Sequence, residues 1–588
     1  MRLSRRQFLF TASAASAAKA RPNVILIMTD DQGYGDIARH GNPVIHTPHL
    51  DALHDRAVRL TNYHVSPTCA PTRSALMTGR YTNITGAWHT IMGRSLLDHR
   101  EVTMADVFRA NGYRTGIFGK WHLGDNFPCR PQDRGFDEVL VHGGGGIWQT
   151  PDFFGNDYSG DTYFHNGKPE KFDGYCTDVW FSGARRFITD AKGRGKPFFC
   201  YLTPNAPHGP MWAPEGTEER YKNAPGLREP GFYGMIENID QNVGGLVDFL
   251  KSSGLDQDTI LIFTTDNGTS SGAQVFNAGM RASKGSPYDG GHRVPFFIHW
   301  PGGGLTGGRG IDTLAAHIDV LPTLMELCGV KRAKGPEMHG RSLVPVLRGS
   351  VKDWPDRTII TDSQRMEKLV KGRQASVMTQ QWRMVNPSLD GNPARWELYD
   401  MRQDPGQKTN LFERNQETAA RLLGEYDRWW GMVSARGEEY VRIAVGDPRE
   451  NPSRLTAHDW HGEGVEKVWN QRGIRQGAVA NGFWAIDVTR TGKYRFELRR
   501  WPAEINLPVN YFLRDSSTNR ESAEGVSISA VKARISVGGV DESVAVGNQD
   551  TAAVFTLALR KGPAELRTWF TSSDGTERGA YYVYISKL

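Results

Sequence analysis

Apolar residues follow two rhythms along this chain. In the first, short unbroken apolar runs alternate with stretches of helical period. The runs are Val24–Met28, Arg114–Phe118, Pro197–Thr203, Thr259–Thr265 and Val294–Trp300, a pattern of strands covered on both faces. A shorter strand is expected near Arg59–His64. Helices are expected after Thr47-Pro48, over Pro71–Met77 with Pro71 at the first position, and over Met104–Ala110, Thr177–Ala191, Tyr233–Ser252 and Ile318–Cys328. The Tyr233–Ser252 stretch carries Ile236, Ile239, Val243, Leu246, Val247 and Leu250 at helical spacing. Residues 124–175, rich in Gly, Pro, Asp and aromatics, read as long loops over a site. Strand–helix alternation of this kind predicts an α/β fold with a doubly wound, mostly parallel sheet.

The second rhythm begins after the alternation stops. Short strands, including Gln381–Val385 and Trp396–Asp400, and a polar helix near Gln416–Ala435 predict a small antiparallel C-terminal subdomain. Residues 446–456 read as a linker. Beyond them apolar and polar residues alternate with period two, as in Phe483–Val488, Gly492–Leu498, Thr551–Leu559 and Tyr581–Ile585, which predicts an additional β-sandwich domain. The expected division is a catalytic α/β domain over 21–355, the antiparallel subdomain with its closing helix over 356–445, the linker over 446–456, and the β-sandwich over 457–588. Ser4-Arg5-Arg6-Gln7-Phe8-Leu9 is a twin-arginine pattern. With Ala18-Lys19-Ala20 at its end, residues 1–20 read as an export signal, so the expected location is periplasmic or secreted, by a bacterial folded-export route.

Composition narrows the function. At 588 residues the chain is long enough for several domains. A net charge of +6, with no dense Lys/Arg stripe, gives no case for a nucleic-acid partner. No stretch is long and apolar enough for a stable membrane anchor. Five cysteines, at 69, 129, 176, 200 and 328, lack CxxC spacing and are too few for a disulfide scaffold. Oligomeric state and the state of the last four cysteines stay open.

Polar clusters recur immediately after the apolar runs: Asp30-Asp31, Lys120 with His122, His208, and Asp266-Asn267. In doubly wound sheets ligands bind outside the carboxyl ends of the strands. One acidic pair at a strand end is ordinary turn chemistry; four clusters after four strands are not. Asp30, Asp31, Asp266 and Asn267 offer hard oxygen donors, which suit Ca2+, with Mg2+ as the alternative. Cys69 stands between Pro67 and Pro71, just ahead of an expected helix, with Arg73 four residues on; a helix start favours negative charge. Arg73, Lys120, His122, His208 and Lys284 around one cation imply a compact oxyanion ester. Sulfate and phosphate esters both satisfy this.

Cys69-Ala70-Pro71-Thr72-Arg73, followed by Thr78-Gly79-Arg80, resembles the signature of the type I, formylglycine-dependent sulfatases, which are arylsulfatase-like members of the alkaline phosphatase superfamily. The resemblance extends through Asp30-Asp31-Gln32-Gly33, Gly119–Gly124, Ala206–Pro210, Thr265–Gly268, Lys284-Gly285-Ser286, Gly290–Pro295 and Leu398-Tyr399-Asp400, and covers roughly residues 22–435. Met77 and Asp289 depart from the family's usual Leu and Glu. The resemblance implies an alkaline-phosphatase-like sheet and a sulfuric ester hydrolase. It implies oxidation of Cys69 to formylglycine by a formylglycine-generating enzyme before export. It assigns catalysis to Cys69, Arg73, Lys120, His122, His208 and Lys284, and the metal to Asp30, Asp31, Cys69, Asp266 and Asn267. His208 is the expected proton donor to the leaving alcohol, Lys284 assists, and His122 accepts the later proton. The expected substrate is a sulfated small molecule or saccharide. Competing readings are a phosphonate monoesterase or phosphodiesterase using the same site, and a carbohydrate-binding protein with an inactive hydrolase domain. Trp148, Trp212 and Tyr288 are expected near the site, as sugar platforms or pocket walls.

Overall fold

The strand Asn23–Thr29 lies in the middle of a ten-stranded sheet. In the computed structural model, which describes residues 21–351, 354–513 and 525–588, that sheet runs in the order Gly310–Ile311, Val58–Leu60, Phe296–His299, Thr259–Thr265, Asn23–Thr29, Phe198–Thr203, Arg114–Gly119, Glu138–Val141, Thr162–His165, Lys168–Lys171. The five strands from Thr259–Thr265 to Glu138–Val141 are parallel. The expected twin-arginine signal over residues 1–20 lies outside the described residues.

Every residue of Asn23–Thr29 is buried because both faces of the sheet are covered. Val24, Leu26 and Met28 pack on one side with Ala70, Leu76 and Met77 of the helix Cys69–Thr78, and with Met104 and Phe108 of the helix Met104–Ala110. Ile25 and Ile27 pack on the other side with Leu50 and Leu53, with Trp180, Phe181 and Ile188 of Cys176–Gly193, and with Met235, Ile239 and Val243 of Pro230–Ser252. This is the physical reason for the unbroken apolar runs. A strand between two helical layers has no solvent face to make polar.

The structure corrects the reading of residues 124–175 as loops. Glu138–Val141, Thr162–His165 and Lys168–Lys171 extend the main sheet. Each spans only four residues, Glu138–Val141 offers a run of only three apolar positions and the last strand is wholly exposed, so little pattern marks them. The helix at Cys69 also starts earlier than expected. Cys69 is its first residue, behind Thr68 as N-cap, and Pro71 is its third. A proline there loses no helical hydrogen bond, since the first N–H groups have no partner within the helix.

A four-stranded antiparallel sheet, Ile359–Asp362, Ala375–Met378, Trp382–Asn386 and Glu397–Asp400, follows. The helix Gln416–Val433 covers it through Leu422, Tyr426, Trp429 and Val433. Besides a two-stranded sheet of Tyr63–His64 and Ala315–Ala316, two further sheets follow among the described residues. One has Ile443–Val445, Phe483–Val488, Gly562–Ser572, Ala530–Val537 and Val540–Ala545 in that order, with Glu577–Arg578 paired to Gly562–Ser572. The other has Ser453–Thr456, Tyr582–Lys587, Gly492–Arg499 and Ala553–Leu559. Trp484, Ile486, Phe496, Leu498, Ile535, Phe555, Leu566 and Val583 from both belong to one core, which also takes in Leu96, Cys129 and Phe154 from the N-terminal part. The expected linker over 446–456 is corrected in its second half: Ser453–Thr456 is a strand, paired to Tyr582–Lys587.

Candidate active site

Strand register decides where the polar clusters meet. Thr29 pairs with Thr265, and Gly119 with Thr203. Asp30-Asp31, Asp266-Asn267 and Lys120 therefore leave the carboxyl edge of neighbouring strands side by side. Asp266 N–H donates to Thr29 O at 3.1 Å, Asp30 N–H to Ala206 O at 3.2 Å and Lys120 N–H to Thr203 O at 2.7 Å. The Cys69 helix rises beneath this edge with all ten of its residues buried. The Lys284 loop is tied to both neighbours: Lys284 N–H donates to Thr269 O and Gly285 N–H to Pro67 O.

The side chains form a compact charged cluster. Arg73 donates to Asp266 Oδ2 through Nη2 at 2.7 Å and Nε at 3.2 Å, and to Lys120 O through Nη1 at 3.2 Å. Lys120 Nζ meets Asp30 Oδ2 at 2.5 Å, and Lys284 Nζ meets Asp31 Oδ1 at 2.5 Å. Asn267 Nδ2 donates to the same Asp31 oxygen at 2.9 Å and to Gly268 O at 3.0 Å. Two buried oxygens are left over. Asp30 Oδ1 and Asn267 Oδ1 have no hydrogen-bond partner among the described residues. One ligand atom each from Asp30, Cys69 and Asp266 lies within 4.8 Å of the others, all in buried residues. Orphaned buried oxygens are costly unless something binds them, and hard oxygen donors beside a free Cys69 position fit a Ca2+- or Mg2+-like cation.

Charge in the cluster follows burial and neighbours. Burial raises the Asp30 carboxyl above its usual range, against the pull of Lys120. Burial, then the Asp30 charge, pushes Asp266 up to about 6. Burial acts upward on Asp31 too, but Lys284 and His208 overcome it and hold that carboxyl well below the usual range. Burial acts downward on Lys284, and Asp31 more than offsets it, so its pKa lies above the ordinary lysine value. Burial raises the Cys69 thiol, against Lys120 and Lys284. A thiol so held is a poor thiolate nucleophile.

The two histidines flank the cluster in opposite tautomers, as their carbonyl contacts assign them. His122 Nε2 donates to Thr90 O at 2.8 Å, leaving Nδ1 as a buried acceptor without a partner among the described residues. His208 Nδ1 donates to Gly209 O at 2.7 Å, which leaves Nε2 as its other functional atom. Burial, reinforced by Lys120, holds His122 well below the ordinary histidine value. Burial holds His208 at about 3, against the upward pull of Asp31. Asp31, His122 and Trp148 have φ of 69°, 60° and 72°, the left-handed region that non-glycine residues seldom adopt. Such strain collects where side chains must be aimed.

Not every residue singled out from the sequence falls here. Trp148 lines a cleft with His208, and Trp212 meets Trp148 edge-on at 6.4 Å between ring centroids. Tyr288 instead donates to Glu397 Oε2 at 2.6 Å and lies under Arg281, at the seam with the four-stranded sheet. His64, Asp289 and His292 also cluster, but Arg383 donates to Asp289, Asn62 and His64 and already fills that site with a cation. All five cysteines are free and buried. The sequence reading missed His142, which follows the strand Glu138–Val141 as the other polar clusters follow theirs; its Nε2 is buried without a partner among the described residues. Recognising that strand is the signal that finds it. It also missed Trp469, Asn470 and Arg472, which line the His208 cleft. No periodicity marks them.

A doubly wound sheet with carboxylates, an amide, a helix-start cysteine and three cations at its carboxyl edge defines an alkaline-phosphatase-like hydrolase of oxyanion esters. The Sulfatase family model matches residues 22–330, and the model for the C-terminal region of N-sulphoglucosamine sulphohydrolase matches residues 283–424. Arylsulfatase A of Bos taurus is 30% identical over 471 residues, covering 70% of this chain and 87% of that protein. N-acetylgalactosamine-6-sulfatase of Mus musculus is 28% identical over 387 residues, covering 59% and 71%. The crystal structure of Ps i-CgsB in complex with k-i-k-neocarrahexaose superposes with a TM-score of 0.64 at 28% identity, covering 72% of this chain and 95% of that one. The chain belongs to the type I sulfatase family of the alkaline phosphatase superfamily and is a sulfatase. Among the described residues no helix is long and apolar enough to cross a membrane.

Proposed function

We propose that this protein hydrolyses a sulfate monoester carried by a carbohydrate, using formylglycine made from Cys69 and a Ca2+ ion held by Asp30, Asp31, Asp266 and Asn267 with the residue-69 side chain. The observation that carries the reading is the meeting of Asp30, Cys69 and Asp266, with the orphaned Asp30 Oδ1 and Asn267 Oδ1, at the start of a buried helix. A bound cation supplies positive charge to the sulfate oxygens and lowers the cost of an alkoxide beside it. The formylglycine hydrate supplies two hydroxyls on one carbon, one to attack sulfur and one whose deprotonation expels sulfate.

The chain's own groups divide the rest. Arg73, fixed by Asp266 and the Lys120 carbonyl, holds the residue-69 oxygen in line. Lys120 and Lys284 exchange their carboxylates for sulfate oxygens, where charge builds in the transition state. His208 and Lys284 deliver the proton that the leaving alcohol needs, and a bound sulfate ester beside His208 favours its protonated form. His122 Nδ1, an acceptor with no other partner among the described residues, takes the proton of the second hydroxyl.

The carbohydrate assignment is supported by relatives whose names specify sugar sulfates, N-acetylgalactosamine-6-sulfatase among them. We assign residues 21–355 to the catalytic domain, 356–445 without the strand Ile443–Val445 to the closing subdomain, and 457–588, with the strands Ile443–Val445 and Ser453–Thr456, to a β-sandwich whose two sheets share one core. Export through the twin-arginine signal fits a modification made before translocation.

Mass measurement of the Cys69 peptide tests the modification: formylglycine is expected, and an unmodified thiol in fully active enzyme would overturn it. Parallel assays with 4-nitrophenyl sulfate and a phenylphosphonate ester test the reaction class. Faster turnover of the phosphonate would reassign the enzyme to phosphonate esters.

A further inference from the structure

The loop 363–374 joins the antiparallel neighbours Ile359–Asp362 and Ala375–Met378. Hairpin connections usually take about two to five residues, and longer ones tend to carry function. This one is pinned along its length. Gln364 Nε2 donates to Asp362 Oδ2 at 2.7 Å, and Gln364 Oε1 accepts from Val370 N–H at 2.8 Å. Trp88 Nε1 donates to Met366 O at 3.1 Å, Arg94 Nε to Glu367 O at 2.9 Å, and Gly372 N–H to Tyr426 Oη at 2.7 Å. Between these anchors Arg365 is held at φ 37°, in the left-handed region.

The Arg365 side chain is exposed and makes no hydrogen bond or ion pair among the described residues. The acids nearest to it in the chain are taken. Glu367 pairs with Arg94 and His461, and Asp362 accepts from Asn83 and Gln364. Its neighbours in space are cationic or basic instead. A Cβ built on Gly285 would stand 3.7 Å from Arg365 Nη1, which puts the guanidinium against the residue that follows Lys284. Burial, then the Arg365 charge, lowers both His89 and Arg373. Like charges held together by a pinned backbone cost free energy unless an anion joins them.

Solvent reaches this place. Cys69 is 2% exposed, the Lys284 side chain 16%, and Arg365 lies on the surface beyond it. A sulfate held at Cys69 and Lys284 therefore leaves the rest of its substrate to emerge past residues that a ligand can touch. A guanidinium there presents paired N–H donors suited to a planar or tetrahedral oxyanion.

We propose that Arg365 is a specificity-determining residue of this site, which binds a second anionic group, a sulfate or carboxylate, on the saccharide that carries the scissile ester. This rests on the sulfated-carbohydrate reading above. The hairpin of the closing subdomain thereby selects multiply charged sugars, while Lys284 serves the sulfate that is cleaved.

The test uses the full-length active protein and pairs of saccharides that differ by a single sulfate: D-glucosamine 6-sulfate with its 2-N,6-O-disulfate, and neocarrabiose of κ type with ι type. The wild-type protein is expected to favour the doubly sulfated member of at least one pair by about tenfold or more in kcat/KM. Arg365→Gln should abolish most of that preference, chiefly through KM, and Arg365→Lys should keep part of it. Lys368→Gln removes the same charge from an exposed position of the same loop and should leave the preference intact. No preference in either pair, a preference that survives Arg365→Gln, or an equal loss in Lys368→Gln overturns the proposal. If the protein cleaves phenylphosphonate esters and no sulfate ester, the same pairs are run as competitive inhibitors of that reaction. An Arg365-dependent preference there would support the anion subsite and remove only the sulfatase chemistry proposed above; its absence would overturn the subsite as well.

Discussion

Two atoms define the residue-scale case: Asp30 Oδ1 and Asn267 Oδ1, each buried without a partner among the described residues. If a cation accounts for them, Asn267→Ala should lower Ca2+ affinity by at least about tenfold, read by calorimetry, without acting on the Arg73–Asp266 pair. Unchanged affinity would remove Asn267 from the ligand set. The Cys69 position gives a second expectation. Serine has one hydroxyl where formylglycine hydrate has two, so a Cys69→Ser protein can accept a sulfuryl group but has no second hydroxyl to expel it. Intact-mass measurement after incubation with 4-nitrophenyl sulfate should show a gain of one SO3 group and no turnover. Multiple turnovers by that variant would refute the two-hydroxyl argument. Arg73 gives a third. It is fully buried against Asp266 at 2.7 Å, so Arg73→Met should destabilise the cation-free protein by about 3–5 kcal/mol in urea unfolding, because it strands a buried carboxylate.

At the scale of elements, the aim of His122 depends on the glycine run above it. A Cβ built on Gly145 meets His122 Cε1 at 2.2 Å and Nε2 at 2.4 Å, and the imidazole is held by the bond that Nε2 donates to Thr90 O. Gly145→Ala must therefore shift the ring or the loop. With His122 as the base, kcat should fall about a hundredfold while the far-UV circular dichroism keeps its native form; unchanged kcat would mean that this ring does not handle the proton. The same region shows where the sequence was readable. Asn23–Thr29 and Thr259–Thr265 were legible because burial on both faces forces unbroken apolar runs, and the residues just after them inherit their place from the register. Glu138–Val141 was not, since four residues carry too little pattern, and His142 was lost with it. The start of the C-terminal sheets was misplaced for a related reason. Ile443–Val445 and Ser453–Thr456 are short strands whose partners lie far downstream in sequence, and no local periodicity encodes a partner that distant. Trp469 was invisible on the same ground, because its significance comes from docking on Thr150.

Over the whole molecule, the C-terminal unit is seated on the catalytic part through polar groups as well as the shared core. Glu450 lies at this junction. Its Oε2 accepts from Phe127 N–H at 2.9 Å, its Oε1 from Asn126 Nδ2 at 3.3 Å, and Arg130 Nη1 stands 3.7 Å away. With Arg130, His142 and Arg454 it lines a cavity of about 310 Å³ between the two parts. Burial raises this carboxyl from 4.5 to about 7, with Arg130 and the Phe127 N–H opposing the rise. The folded protein therefore binds the Glu450 proton more tightly than the unfolded chain does. Below about pH 4.5 both states are protonated and the group costs nothing. Between about pH 4.5 and 7 the unfolded chain releases its proton first, so this group's contribution to stability falls as pH rises, and above about pH 7 the loss is complete. The shift bounds that loss at about 3 kcal/mol. Glu450→Gln has no proton to lose and keeps an oxygen for Phe127 N–H. Its stability relative to wild type should climb across that window and level off above it, in urea unfolding followed by tryptophan fluorescence at a series of pH values. A wild-type-to-variant difference that stays flat from pH 4.5 to 8 would mean that the carboxyl ionises freely at the junction and that water reaches the seam between the two parts.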